Sequence, residues 1–434
     1  MLRWCRPLLM LLIALVTSAS SASAAGITEA ARLTAVYDEI LAARFDRARA
    51  LLQRACPPAP EVACQSLGLA ALWWQIVLDP DSRALDARME STSATVIAAA
   101  QAWTAREPGR AEAWFYLAGA YGPITQWRVL RGERVAAARD GNRIRAALER
   151  ALALDPTLHD ALFGIGLYHY YADVAPAAAK ILRFLLLLPG GDRRQGLREM
   201  LEARDRGALL QGEADFQLHY LYLWYERAPS LALDLLRRLD TRYPSNPVFL
   251  QRIAEIQHEY QRDYPASAAS WEQLLDRARS GASSDPALAE TRARLGLAAA
   301  FDAMFESDRA VEEALAVIRL RPRAPAGALA RAYVQLGESE QRLGRPEPAA
   351  AAFAEAIELT SRDDPAEVRA RARAGLRRRV PAAEADAYRL SIDAVRALAR
   401  GDRDAAEAAA RRAHALAPAD PIVVVRHARV RAAR

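Results

Sequence analysis

Apolar residues recur three and four positions apart along most of the chain, which is the spacing of one face of an α-helix. The pattern is clearest from Ala328 to Pro365, where it predicts a helix over about Ala328–Leu343 and a second over about Pro346–Leu359. Gly344 separates the two, where a helix end favours positive φ. Clear strand signals are missing. The sequence therefore predicts an all-α protein built from helical hairpins.

The residues within this stretch fit the contact between two packed helices. Gly337 and Ala349 are small enough for close approach, and Tyr333, Leu336 and Phe353 are large enough to interdigitate. Related groups of residues, more degenerate, precede four other prolines: Pro156, Pro244, Pro322 and Pro418. These spacings resemble the tetratricopeptide repeat (TPR) family, whose unit is roughly 34 residues. The resemblance implies an α-solenoid of stacked antiparallel helical hairpins; an ordinary all-α globule is the alternative.

The middle of the chain departs from the repeat and suggests a division into segments. We predict degenerate hairpins over 25–156, a hairpin with an apolar helical insertion over 157–212, and a repeat array over 213–434. Within the insertion, Ile181–Leu188 is almost continuously apolar and too short to span a bilayer. Three interpretations stay open: a buried helix that plugs the solenoid, an exposed patch for a partner, or contact with a membrane surface.

The stretch GLYHYYADVAPAAAKILRFLLLLPGGDRRQGLREMLEA also resembles the midsection of the tetratricopeptide repeat protein 39 family. The similarity covers only about fifty residues. It implies a repeat-protein relative and carries no catalytic motif.

Residues 1–24 have the composition of a secretory signal peptide. Arg3 and Arg6 precede the apolar run Leu8–Val16, and the small residues Ala22-Ser23-Ala24 follow it. We predict cleavage before Ala25 and a periplasmic or secreted mature chain without an integral membrane span; an uncleaved anchor is the alternative.

Removal of this segment would leave two cysteines, Cys56 and Cys64, separated by PPAPEVA. In an oxidising compartment such a pair is a disulfide candidate, with two buried free thiols as the alternative. The net charge of the full chain is +6, and its arginines are interleaved with acidic residues. That alternation is typical of solvated helix faces, so we do not expect nucleic acid as a partner.

Motifs for catalysis or cofactor binding are incomplete. His258-Glu259 begins like a zinc-protease motif, but Arg262 stands where the second histidine belongs. Gly164-Ile165-Gly166 lacks both the third glycine and a preceding strand of a dinucleotide site. We therefore predict no catalysis, no cofactor and no metal.

Aromatic residues offer better candidates for binding, because tyrosine and tryptophan anchor many protein interfaces. The first helix of each hairpin is expected to line the concave side of the solenoid. The residues predicted to face a partner there are Gln217, Leu221, Trp224, Tyr225, Arg331, Glu338, Gln341 and Arg342. The predicted function is a periplasmic scaffold or adaptor that binds a protein or peptide. The alternatives are a small-molecule binder or enzyme that uses a cavity near residues 172–191, and an envelope assembly factor at the membrane surface.

Overall fold

The structure is a computed structural model that describes residues 26–175, 190–360, 364, 367–378 and 380–433. The predicted signal peptide and the apolar run Ile181–Leu188 lie outside the described residues. The described helices are α1 Ala30–Leu41, α2 Phe45–Ala55, α3 Glu61–Leu78, α4 Asp86–Arg106, α5 Ala111–Leu130, α6 Arg134–Leu154, α7 Ala161–Val174, α8 Arg193–Arg206, α9 Gln211–Tyr220, α10 Pro229–Arg242, α11 Pro247–Glu259, α12 Tyr264–Arg279, α13 Pro286–Ala303, α14 Ser307–Leu320, α15 Ala328–Arg342, α16 Pro346–Leu359, α17 Val368–Arg377, α18 Ala382–Ala399, α19 Arg403–Leu416 and α20 Pro421–Ala432.

The helices pack mainly against their neighbours in sequence, as in α5 with α6, α13 with α14 and α18 with α19. Most connections are short, and short connections place consecutive helices antiparallel. The described part of the chain contains no strand. The predicted all-α solenoid of stacked hairpins is therefore confirmed.

Seven of the hairpin turns share one backbone feature, a residue with positive φ just after the first helix. A backbone N–H in these turns binds a carbonyl oxygen five or six residues earlier, as in Arg345 N to Glu340 O at 3.0 Å and Asp402 N to Ala397 O at 3.0 Å. The five-residue bond is that of a Schellman ending. The positive-φ residues are Ala43, Gly132, Arg227, Arg262, Phe305, Gly344 and Gly401. Only three are glycine, which is why the turn signal is weak in the other hairpins.

The hairpin of α15 and α16 shows how small and large residues fit together. A Cβ atom added at Gly337 would lie 2.6 Å from the Phe353 ring, and one added at Gly375 would lie 2.3 Å from the same ring. Phe353 is fully buried between these two glycines, which lie on α15 and α17. The prediction that Gly337 is a close helix contact is confirmed.

The N-terminal helices also pack against helices far along the chain. The Asn246 side chain donates to the Leu41 carbonyl at 2.7 Å, and Tyr243 donates to Asp38 at 2.6 Å. Arg292 on α13 donates to the Leu78 carbonyl at the end of α3. A serial stack buries each hairpin only against its neighbours, so the packing of α1–α3 against α9–α13 is an additional closure of the fold.

A disulfide joins Cys56 to Cys64, with 6.4 Å between their Cα atoms. It connects the end of α2 to the first turn of α3. Because the closed loop is short, its expected stabilisation is near the low end of ~2–4 kcal/mol.

Helix α3 is the one helix of the described ranges that is long and apolar enough to cross a membrane, with a mean hydropathy of 1.2. Half of its residues are buried inside the protein. Its side chains Leu69, Trp74 and Ile76 lie in the core shared with other helices. Such burial is equally typical of a core helix.

Candidate functional site

The eight residues predicted to bind a partner fall into two groups. Gln217 lies on α9, and Leu221, Trp224 and Tyr225 lie on a π-helical turn, Leu221–Tyr225, that directly follows α9. The second group, Arg331, Glu338, Gln341 and Arg342, lies on α15. Five helices, α10–α14, come between α9 and α15 in the order of the chain. The two groups therefore form separate places on the molecule.

Gln217 and Leu221 are buried. The Gln217 side chain donates to Gln126 on α5 at 2.9 Å and to Glu213 at 3.1 Å. The physical reason is the closure of the fold, which brings the N-terminal helices onto this face of α9. These two side chains hold the protein together and leave no surface for a partner to contact.

Glu213 is the centre of this closure and was not singled out from sequence. Its carboxylate accepts hydrogen bonds from Tyr37 on α1 at 3.1 Å, Trp74 on α3 at 3.1 Å, and Gln217. The side chain is almost completely buried, and burial raises the pKa of its carboxyl group above the ordinary value. These three donors are neutral, so the hydrogen bonds compensate only part of the cost of burying a charge.

The exposed residues of the first group are Trp224 and Tyr225, whose side chains are 54% and 37% exposed. A π-helical turn inserts an extra residue into the helix and often marks a functional site. Here Leu221 and Leu223 face the core while Trp224 and Tyr225 face solvent. The turn therefore exposes two consecutive aromatic residues.

We call three exposed aromatic residues the aromatic shelf: Tyr171 of α7, Tyr225, and Trp224, which precedes Tyr225 in the chain. Tyr171 is 36% exposed, and its ring centre lies 5.7 Å from that of Tyr225. Trp224 stacks on Tyr220 with ring centres 4.5 Å apart. These ring contacts fix the side chains, so little rotamer entropy remains to be lost when a partner binds.

Charged groups border the shelf. Arg193 donates from Nε to Glu226 at 2.7 Å, and the backbone N–H of Arg193 donates to Asp173 at 2.9 Å. Tyr170 also donates to Glu226. The Arg193 guanidinium lowers the pKa of the Glu226 carboxyl group, so this group is ionised at neutral pH. The shelf thus combines an apolar surface with a fixed ion pair at its edge.

The residues of the second group are engaged by other parts of the chain. Glu338 pairs with Arg371 on α17 at 2.7 Å, and Gln341 donates to the Gly375 carbonyl at 2.8 Å. Arg342 pairs with the buried Asp302 of α13. Arg331 donates to the Ala326 carbonyl at 2.8 Å. Because α17 packs on α15, it covers part of the face that the repeat pattern assigns to a partner.

The described parts of the chain give little support for a catalytic or metal-binding role of the histidines. No group of three or more histidine, cysteine or acidic side chains there could hold a metal ion. Burial lowers the pKa of His219 to about 3, so this ring is neutral. His169 is bonded to Glu199 at 2.7 Å. His258 is half-buried near the end of α11, and burial lowers the pKa of its ring as well.

Comparison with known proteins gives structural neighbours and no sequence relative. No protein-family model and no curated protein matches the chain. Among solved structures, yeast Tom70 matches with a TM-score of 0.39 and 13% identity over 73% of this chain and 64% of that chain, less than two thirds of its length. A TPR protein of Thermus thermophilus matches with a TM-score of 0.29 and 20% identity over 51% of this chain and 99% of that one. The Pseudomonas aeruginosa protein pilF matches with a TM-score of 0.29 and 13% identity over 73% and 97%.

At these TM-scores the neighbours carry no argument about function. The class of the protein follows from its own helix pairing, which defines an all-α helical-repeat protein with the architecture of an α-solenoid. The resemblance of the midsection to the tetratricopeptide repeat protein 39 family stays a local sequence resemblance.

Proposed function

We propose that the chain is an exported helical-repeat adaptor that binds a segment of a partner protein at the aromatic shelf and performs no catalysis. The observation that carries this proposal is the exposure of three aromatic side chains, Tyr171, Trp224 and Tyr225, of which Tyr171 and Tyr225 are in ring contact. Exposed aromatic groups of this kind supply much of the binding energy at protein interfaces.

The chemistry of the shelf favours a partner segment with an apolar or aromatic side chain. The rings offer flat apolar surface, and the ion pair of Arg193 and Glu226 offers hydrogen-bonding groups at its edge. An interface with an apolar centre and a polar rim has this composition.

The proposed location is the periplasm or the exterior of the cell. Two features support it: the signal-like composition of residues 1–24, and the disulfide between Cys56 and Cys64. Disulfides persist mainly in oxidising compartments. Fractionation of cells that express the full-length chain tests the location, and recovery of an unprocessed chain in the cytosol would contradict it.

Site-specific photo-crosslinking tests the binding surface. A photo-reactive phenylalanine at Tyr225 is expected to give a discrete adduct with one partner protein in cells. The matched control places the same group at Leu231, which is 49% exposed on the neighbouring helix α10. The Trp224→Ala change is expected to abolish the adduct at position 225. Equal adducts from both positions, or an adduct that survives Trp224→Ala, would refute the assignment.

A second candidate function, small-molecule binding, is favoured by one observation. A polar cleft next to the shelf is lined by Asp173, Asp192, Arg193, Arg194 and Glu226. If this cleft is the site, a charged metabolite should raise the melting temperature of the wild-type protein and not of the Arg193→Ala variant.

A further inference from the structure

Helix α17 interrupts the regular succession of hairpins and presents arginines to solvent. It packs against α15 and α16, with Val368 and Ala372 buried and Gly375 against the Phe353 ring. These three positions occupy one face of the helix. Arg373 and Arg377 lie outside that face, and both are exposed.

The arginines of this region differ in their partners. Arg371 pairs with Glu338 at 2.7 Å, and Arg369 donates to the Thr360 carbonyl at 2.6 Å. Arg378, just after the helix, donates to Glu384 at 2.8 Å. Arg373 and Arg377 have no acidic or carbonyl partner within the residues that the structure describes. Two positive charges on adjacent turns of one helix are therefore uncompensated there.

The net positive charge of the chain comes from its C-terminal end. From Glu367 onward there are sixteen arginines and eight acidic residues, whereas the whole chain has 59 basic and 53 acidic residues. The remaining residues hold 43 basic and 45 acidic side chains, a slightly negative balance. Burial, and then the nearby Arg378 and Arg371, lower the pKa of Arg342 beneath α17. Helix α17 itself carries four arginines and no acidic residue, a positive charge that an anionic partner would reduce.

We infer that the exposed face of α17 docks an extended, acidic segment of a partner protein through Arg373 and Arg377. Residues four positions apart on a helix are separated by about 6 Å along its axis. Alternate side chains of an extended peptide are separated by about 6.6 Å and point to the same side. Carboxylates at alternate positions of the segment therefore match the two guanidinium groups, each of which can hold a carboxylate with two hydrogen bonds.

The composition of α17 favours a protein segment over a lipid bilayer. Leu376 is its one exposed large apolar side chain, and the helix contains no aromatic residue. Helices that bind membranes bury a broad apolar face in the interface between headgroups and acyl chains. The apolar face of α17 already packs on the protein. Leu376, beside Arg373, is therefore the one large apolar side chain of α17 that a partner segment could contact.

Fluorescence anisotropy with a labelled peptide of alternating glutamate and alanine tests the inference on the full chain. We expect binding at low ionic strength that weakens as salt is added. The double change Arg373→Ala/Arg377→Ala should weaken binding by roughly fivefold, the scale of two exposed ion pairs. The matched control, Arg400→Ala/Arg403→Ala, removes the same charge where α18 ends and α19 begins, and it should change the affinity by less than about twofold.

Three outcomes would overturn the inference. The first is no binding of the peptide at low ionic strength. The second is an equal loss in both double variants, which indicates attraction to net charge alone. The third is that vesicles containing phosphatidylglycerol bind in an Arg373- and Arg377-dependent manner while the peptide does not, which would assign the surface to lipid. The test is independent of the aromatic shelf, because Trp224→Ala should leave peptide binding unchanged.

Discussion

The two ends of this molecule use the same hairpins but bury them differently. One continuous hydrophobic core runs from Leu33 on α1 to Ala310 on α14. From α15 onward the buried apolar residues form smaller clusters, such as the one around Val334 and Phe353 and the one around Ala397 and Ala410. The first region is closed by contacts between residues about two hundred positions apart, as between Asn246 and Leu41. The second region is closer to a serial stack, with a longer link: the buried Arg426 side chain of α20 donates to the Phe305 carbonyl at 3.2 Å.

Contacts between helices far apart in sequence give a repeat protein cooperativity. In a serial stack each hairpin depends on its neighbours, so local opening is possible at low free-energy cost. In the closed region, α1–α3 and α9–α13 must separate together, because each buries the polar and apolar groups of the other. The closed region should therefore behave as one unit and the C-terminal region as a set of smaller ones.

The largest expected effect tests the closed region at its centre. Trp74 is fully buried, with its ring centre 4.8 Å from that of Phe216 and its indole N–H bonded to Glu213. Trp74→Ala should lower the free energy of unfolding by about 4 kcal/mol. Hydrogen exchange should accelerate in α1–α3 and in α9–α11 together. Faster exchange confined to α3 and its sequence neighbours would show that the closure contributes little to the cooperativity of this region.

A matched change in the C-terminal region is Phe353→Ala. It removes a fully buried ring that lies between Gly337 and Gly375, at a cost of about 3–4 kcal/mol. Although the cost is similar, faster hydrogen exchange is expected only in α15, α16 and α17. If α1–α3 also lose protection, the two regions are not separate units.

Two substitutions in the turns should have smaller effects on the free energy of unfolding, and these effects should have opposite signs. Gly344 has φ of +71°, and a Cβ atom there would lie 2.2 Å from the Ala385 carbonyl oxygen. Gly344→Ala should therefore destabilise by about 2 kcal/mol. Arg262 has φ of +54° in the turn after α11 and is exposed, so Arg262→Gly should stabilise by about 0.5 kcal/mol. Denaturant titration measures both, and a destabilised Arg262→Gly variant would contradict the account of the turns.

The smallest expected effect is a pH dependence centred on Glu213. Burial raises the folded-state pKa of this carboxyl group above 4.5, so the folded protein holds the proton more tightly than the unfolded chain. The stability that this group contributes is present below pH 4.5 and is lost as the pH rises through the folded-state pKa. Glu213→Gln should differ from wild type by less than about 1 kcal/mol at pH values below the unfolded-state pKa and be the more stable protein at neutral pH.

The control for that change is Glu347→Gln, at an exposed position on α16. It should leave the pH dependence of the unfolding free energy unaltered. If the stability of Glu213→Gln falls as steeply as that of wild type when the pH rises, the Glu213 carboxyl group is not the cause of the pH dependence.

The sequence predicts the hairpins well because their signals are local. The small residue Gly337, the large residue Phe353 and the turn residue Gly344 lie within one hairpin, and the structure places all three as expected. The closure is not predictable in this way. Its contacts join α1–α3 to helices far along the chain, and a residue such as Asn246 carries no mark of the carbonyl group that it will meet.

The candidate site was predictable only in part, for the same reason. Spacing places Gln217, Leu221, Trp224 and Tyr225 after one another on a single helix, but it does not show that the first two are covered by N-terminal helices. The π-helical turn also changes which side chains face outward, and no short motif announces it. On α15, packing by α17 covers a face that the repeat pattern would leave open.

Native-state hydrogen exchange on the wild-type protein measures whether the N-terminal helices and α9–α13 open together. We expect α1–α3 and α9–α13 to exchange through one shared opening with a free energy near that of global unfolding, and α15–α20 to open at lower free energy. Opening of α1–α3 on their own, with α9–α13 still protected, would contradict the closure of the fold.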